Sequence, residues 1–161
     1  MTSIGFRVRS NNKIYYSIEE EDPDNNLTYR DISILHVPQS LNWPEALNFT
    51  RNTIIDIINL YEVKKAVIKI NEYGSTYDKL MIQRTYIEGV LQEAIANSSV
   101  EKNKAGQISD IYHLLDIQKE DFKLYARGEL NFINFPTEIG WGNLSLEERE
   151  SILAANAALK L

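Results

Sequence analysis

The sequence contains no cysteine. Disulfides, thiolate-bound zinc, iron–sulfur clusters and thiol nucleophiles are therefore excluded. Histidine is nearly absent too: His36 and His113 stand far apart, and no G-x-S-x-G nucleophile motif accompanies them. A Ser-His-Asp triad thus has no footing, and both read as structural or surface residues. Glycine and proline number 7 and 4 in 161 residues, too few for collagen-like or low-complexity architecture. No apolar run approaches the roughly 18 residues of a membrane span, so no membrane is expected as a partner. Arg7 and Arg9 interrupt the apolar stretch near the N-terminus, which is not a secretory h-region. A cytoplasmic location follows as the expectation. Phosphate-cradling G-x-x-x-x-G-K-[ST] and dinucleotide G-x-G-x-x-G loops are missing. Positive charge is also short. Seventeen Lys and Arg face 23 Asp and Glu, a net charge of −6. That balance disfavours nucleic acid as a partner, because phosphate binding draws on a basic surface.

What is present is ordinary globular material, 43% hydrophobic and 25% charged, enough for one core. A single domain over 1–161 is expected. Ile4, Phe6 and Val8 alternate with Gly5, Arg7 and Arg9, which predicts a strand over Ser3–Arg9 with one apolar face. Asn11-Asn12 suits a tight turn into a second strand, Lys13–Glu19. The acidic stretch Glu20–Asn26 reads as an exposed hairpin tip, and Leu27–Val37 alternates again. Beyond Pro38 the period changes to that of a helix. Asn42–Tyr61 opens with a cap-like Asn and shows Ile54, Ile57, Ile58 and Tyr61 on one face. Val63–Ile70 is a β-rich run. A second helix is predicted from near Thr76 to about Asn97, with Leu80, Ile87, Leu91, Ala94 and Ile95 in its apolar stripe; Gly89 inside it suggests close packing on a sheet. Val100–Lys104 is a weak final strand and Gln107–Leu115 a short helix. Residues 118–143 lack clear periodicity and read as an irregular connection packed by Phe122, Tyr125, Phe132, Phe135 and Trp141. Ser145 and Glu148 form a capping box, opening a C-terminal helix within 144–161.

Three strands followed by α-β-α-β-α predict an α/β fold. A meander supplies the antiparallel strands, and right-handed crossovers add two more parallel to the first. The expected result is a five-stranded mixed sheet flanked by helices.

That order is also the layout of the ribonuclease H-like fold. The segment Ala66-Val67-Ile68-Lys69-Ile70-Asn71-Glu72-Tyr73-Gly74, followed by Gln83-Arg84-Thr85-Tyr86-Ile87-Glu88-Gly89-Val90-Leu91-Gln92, resembles the RuvC-like branch of that superfamily. It is similar to a group of small bacterial proteins with an I-K…G…E-G-x-x-Q signature. The resemblance implies three metal-binding acids: an Asp in a Gly-x-Asp step of the first strand, a carboxylate ending the fourth strand, and an acid on the last helix. Here the first step is Gly5-Phe6-Arg7, so a cation stands in the Asp position. Glu72 or the position of Lys69 matches the second, and Glu150, less well Glu147, the third. Two-metal phosphodiester cleavage holds two Mg²⁺ about 4 Å apart between shared carboxylates, and a guanidinium cannot coordinate either ion. The resemblance therefore implies a catalytically degenerate relative with no cofactor.

A Mg-dependent, structure-specific nuclease using Glu72, Glu150 and Asp110 is the alternative. A further one is non-catalytic nucleic-acid binding through an Arg7/Lys69 patch, which adjacency of the first and fourth strands would create. Tyr15-Tyr16 as a base-stacking platform is outweighed by ordinary strand composition. The acidic run Glu19-Glu20-Glu21-Asp22 is a candidate contact for a basic protein. The preferred expectation is a bacterial, non-catalytic interaction or regulatory module with a protein partner, of which an inhibitor or immunity protein is one form.

Overall fold

The computed structural model describes residues 1–72, 74, 78–133 and 135–161. The expected strands are present as β1 (Thr2–Ser10), β2 (Lys13–Glu21), β3 (Leu27–His36), β4 (Lys65–Lys69) and β5 (Lys102–Gly106). They form one sheet in the order β3-β2-β1-β4-β5. β1 pairs antiparallel with β2 and parallel with β4, and β4 pairs parallel with β5. This is the expected meander followed by crossovers.

Strand alternation sorts the side chains onto two faces. Ile4, Phe6 and Val8 of β1, Ile14 and Ile18 of β2, and Ala66 and Ile68 of β4 form one core with α1 (Trp43–Leu60) and α2 (Lys79–Ala96). Each fully buried Ile or Phe there contributes about 1.5–3 kcal/mol. α1 opens on a capping box: Asn42 Oδ1 accepts from the Glu45 amide at 3.0 Å, and the Glu45 carboxylate accepts from the Asn42 amide at 3.0 Å. Asp78 caps α2 by accepting from the Met81 amide at 2.8 Å. The predicted start of that helix near Thr76 lies outside the described residues. Leu80, expected in the buried stripe, is exposed in the first turn.

The opposite face is covered by α5 (Leu146–Leu159), α3 (Ile108–Leu114) and α4 (Lys119–Arg127). Helix α4 corrects the expectation of an irregular connection over 118–143. Its nine residues bury Phe122, Tyr125 and Ala126 on one side and stop at Gly128, whose φ of 74° is left-handed. A helix of two turns is too short to stand out against the aperiodic residues after it. Those residues do pack as an aromatic cluster: Phe132 and Phe135 contact Trp141 with ring centroids 5.6 and 5.0 Å apart. Arg149, buried under this segment, donates from Nε to the Ala126 carbonyl at 2.8 Å and from Nη1 to the Trp141 and Leu144 carbonyls. It ties α4, the 3-10 turn Trp141–Asn143 and α5 together.

Gly89 is not the close-packing glycine: a Cβ there would meet nothing within 4 Å. That role falls to Gly5, where a Cβ would lie 2.1 Å from the Ser151 carbonyl oxygen and 2.2 Å from the Ala155 nitrogen. Serine and alanine along α5 let its backbone lie against β1, and Ser3 Oγ donates to the Ala155 carbonyl at 2.9 Å.

Glu19 also departs from expectation. β2 continues to Glu21, so Glu19 lies inside the sheet and turns under α5, fully buried rather than exposed at the hairpin tip. Among the described residues its Oε2 has no hydrogen-bond partner, and Ser17 Oγ reaches Oε1 only at 3.5 Å. Burial holds the carboxyl well above its ordinary value of 4.5, against the smaller opposing effects of Ser17 and Asn156. The folded chain thus keeps this proton to higher pH than the unfolded chain does. The stability associated with it is complete below about 4.5 and declines as pH rises toward the folded-state value. Glu19→Gln, which keeps the shape without the titrating proton, should raise the unfolding midpoint at pH 8 and flatten its fall from pH 5 upward in thermal scans. An unchanged pH profile would show that Glu19 does not titrate in this range.

Candidate functional site

Parallel pairing of β1 with β4 aligns Arg7 with Lys69, so the two cations expected to approach each other do stand side by side. Both face α5. Along that helix Glu150 forms an ion pair and hydrogen bond with Arg7 Nε, and Glu147 lies 3.5 Å from Arg9 Nε. Arg7 Nη1 also donates to the Val8 carbonyl at 2.8 Å. The Glu150 side chain is 7% exposed and that of Arg7 13%, so this pair is held largely out of water.

Lys69, buried, places its ammonium 3.0 Å from Glu72 Oε1, just beyond the strand end. The same oxygen accepts from the Ile108 amide of α3 at 3.1 Å. Glu72 therefore bridges β4 to the first turn of α3. Asp110, considered as a third acid, is engaged elsewhere. It accepts from the Gln107 amide at 2.9 Å and pairs with Lys104 at 2.9 Å, and hydrogen bonding by Lys104 lowers its carboxyl from the ordinary value.

Two participants were not singled out from sequence, Arg84 and Glu88. They lie one turn apart on α2, with Nη2 and Oε1 3.8 Å apart. Burial, and then the like charge of Arg7, pulls the Arg84 guanidinium down, while Glu88, Glu150 and Glu147 oppose this. Burial pushes Glu88 up, opposed first by Arg84 and then by the Asn71 amide, Arg7 and Lys69. Among the described residues, Arg84 Nε and Nη2 and Glu88 Oε1 have no hydrogen-bond partner. The available signal was the i, i+4 spacing of opposite charges within residues 83–92. The centre thus gathers Arg7, Lys69 and Arg84 with Glu72, Glu88 and Glu150, three cations against three acids. Among the described residues, no group of three or more His, Asp or Glu is placed to hold a metal ion.

The remaining candidates are dispersed. Glu20 pairs with Arg30 at 2.6 Å on the surface. Asp22 accepts from the Asp24 and Asn26 amides at 2.8 and 2.9 Å, and hydrogen bonds from Asn26 lower its carboxyl. Glu20, Glu21 and Asp22 thus sit at the hairpin end without Glu19. Tyr15 and Tyr16 are buried and offer no stacking surface; Tyr16 donates to Asp31 Oδ2 at 3.1 Å. His36 ends β3 in solvent, and the His113 ring lies against Tyr112 with centroids 4.4 Å apart, tilted at 55°.

No protein-family model matches the sequence, and no curated protein matches it. Solved structures do resemble the fold. Thermus thermophilus RuvC in complex with a Holliday junction substrate superposes with a TM-score of 0.68 at 10% identity, covering 99% of this chain and 94% of that one. A second Thermus thermophilus RuvC structure gives 0.68 at 11% identity over the same shares. The yeast mitochondrial Holliday junction resolvase Ydc2 gives 0.59 at 11% identity, covering 98% of this chain and 77% of that one. The fold is RuvC-like and ribonuclease H-like, as expected. None of the helices among the described residues is long and apolar enough to cross a membrane.

Proposed function

We propose that this RuvC-like scaffold serves as a non-catalytic interaction module of the bacterial cytoplasm, acting on a protein partner in the manner of an inhibitor or immunity protein. What supports this is the Arg7–Glu150 pair. The position where the resemblance requires a metal-binding Asp carries a guanidinium, and that guanidinium is bound to the acid of the last helix. Lys69 engages Glu72 in the same way. Two divalent ions do not fit this donor set. Each would have to displace a cation from its carboxylate and then sit beside the released positive charge. The −6 net charge adds repulsion toward nucleic acid away from the centre.

The direct test incubates the purified chain with four-way DNA junctions, single-stranded DNA and RNA in Mg²⁺ or Mn²⁺. No cleavage is expected, and no Mn²⁺-dependent rise in the unfolding midpoint. Cleavage abolished by Glu72→Gln or Glu150→Gln would establish the nuclease alternative instead. The unpartnered donors of Arg84 support a second reading. A salt-dependent mobility shift of junction DNA without cleavage, lost in Arg84→Glu, would assign those donors to a backbone phosphate.

A further inference from the structure

At the other end of α5 from Glu150, a groove of about 360 Å³ opens between the β2–β3 hairpin, the α3–α4 turn and the segment after α4. Leu27, Leu115, Ile117, Phe132, Ile133 and Leu159 line it. Ile133 at its lip is 67% exposed. Such a side chain loses nothing on folding by facing water, yet gains about 25 cal/mol per Å² if a partner covers it. The volume lies at the low end of ligand sites, which span about 300–1,000 Å³, and suits one or two large apolar side chains.

Acids outnumber cations around this groove. Glu21 lines it, and Asp22 and Asp24 flank Asn25, another lining residue. Asp116 stands exposed between Leu115 and Ile117, its φ of 54° in the left-handed region. Against them stand Lys160, the one cation among the described lining residues, and the N-terminal ammonium beside Glu21. An acidic rim repels nucleic-acid phosphates and anionic lipid, whereas it attracts Lys and Arg. Asp22 is held mainly by Asn26 and backbone amides, with a smaller contribution from the N-terminal ammonium, which donates to the Glu21 carbonyl at 2.6 Å.

Resting on the proposal that the chain works by binding protein, we infer that this groove receives a basic peptide segment of the partner, one or two apolar side chains entering between Ile117 and Ile133 while flanking Lys or Arg meet the acidic rim. Apolar anchors buried in a pocket dominate such contacts, and the rim charges govern encounter and selectivity.

The probe is a fluorescein-labelled Lys-Lys-Leu-Phe-Lys-Lys peptide, titrated with the full chain by fluorescence anisotropy at low salt. It should bind about tenfold more tightly than Lys-Lys-Ser-Ser-Lys-Lys or Glu-Glu-Leu-Phe-Glu-Glu, a difference of about 1.4 kcal/mol for each. Ile133→Lys should weaken it about tenfold without moving the unfolding midpoint, since the side chain is exposed. The Asp24→Lys/Asp116→Lys double variant should slow association. Equal binding of the three peptides, no binding at all, or indifference to Ile133→Lys would overturn the assignment. A peptide failure with junction DNA left intact in Mg²⁺ removes the groove alone, whereas DNA cleavage removes the non-catalytic proposal on which it rests.

Discussion

Arg7→Ala is expected to lower the unfolding free energy by about 3–5 kcal/mol, because truncating one partner leaves the other charge buried and unpaired. Glu150 has little solvent to turn to, with its side chain 7% exposed beneath the sheet. Of the neighbouring cations, Lys69 is already paired with Glu72, and Arg84 stands 3.8 Å from Glu88. The loss should be absent from the double variant Arg7→Met/Glu150→Leu. Replacing a whole buried pair with apolar groups of similar volume is often neutral or stabilising, by about 1–4 kcal/mol. Urea unfolding of Arg7→Met, Glu150→Leu and the double variant completes the cycle. If Arg7→Ala cost under about 1 kcal/mol, the range of exposed pairs, the ion pair would not be the buried lock described above. The double variant also bears on function. It removes the central guanidinium without introducing a metal ligand, so on the non-catalytic proposal it should cleave no DNA.

Gly5→Ala should have an effect at least as large. One methyl group would have to occupy space 2.1 Å from the Ser151 oxygen and 2.2 Å from the Ala155 nitrogen, both backbone atoms of a buried helix. No rotamer change relieves that clash, so α5 must move away from β1. Overpacking ordinarily costs about 1–3 kcal/mol where side chains can adjust. Here the displaced body is a helix whose residues from Arg149 to Leu159 are all buried, so a loss above about 4 kcal/mol is expected. Thermal unfolding followed by near-UV circular dichroism reads this directly, because Trp141 and its aromatic neighbours pack against α5. A midpoint within a few degrees of the unmodified chain would mean that the helix can lift from the strand at little cost.

Both effects arise at one seam, where Ser3, Gly5, Arg7 and Arg9 of β1 meet Ala155, Ser151, Glu150 and Glu147 of α5. In the sequence these four β1 residues are the polar half of an alternating strand, the half that ordinarily faces water. The alternation correctly placed Ile4, Phe6 and Val8 in a core. It carried no sign that the opposite face is buried too, since serine, glycine and two arginines are not an apolar pattern. Helix α5 was equally mute about its depth: a helix buried all round has no polar face to give it a period.

The order of elements as far as α3, the period change after Pro38 and the caps at Asn42 and Ser145 were determined by the sequence, because each depends on neighbours within a few residues. Adjacency of Arg7 and Lys69 was also legible, once a right-handed crossover had placed the fourth strand beside the first. Only the tertiary structure decided that Glu19 is buried, that α4 exists within 118–143, and that Arg84 and Glu88 join the centre. The reason is distance along the chain. Arg7 and Glu150 are separated by 143 positions, and their meeting depends on how closely α5 can settle onto Gly5. Contact across such a separation is fixed by packing, which local pattern does not encode.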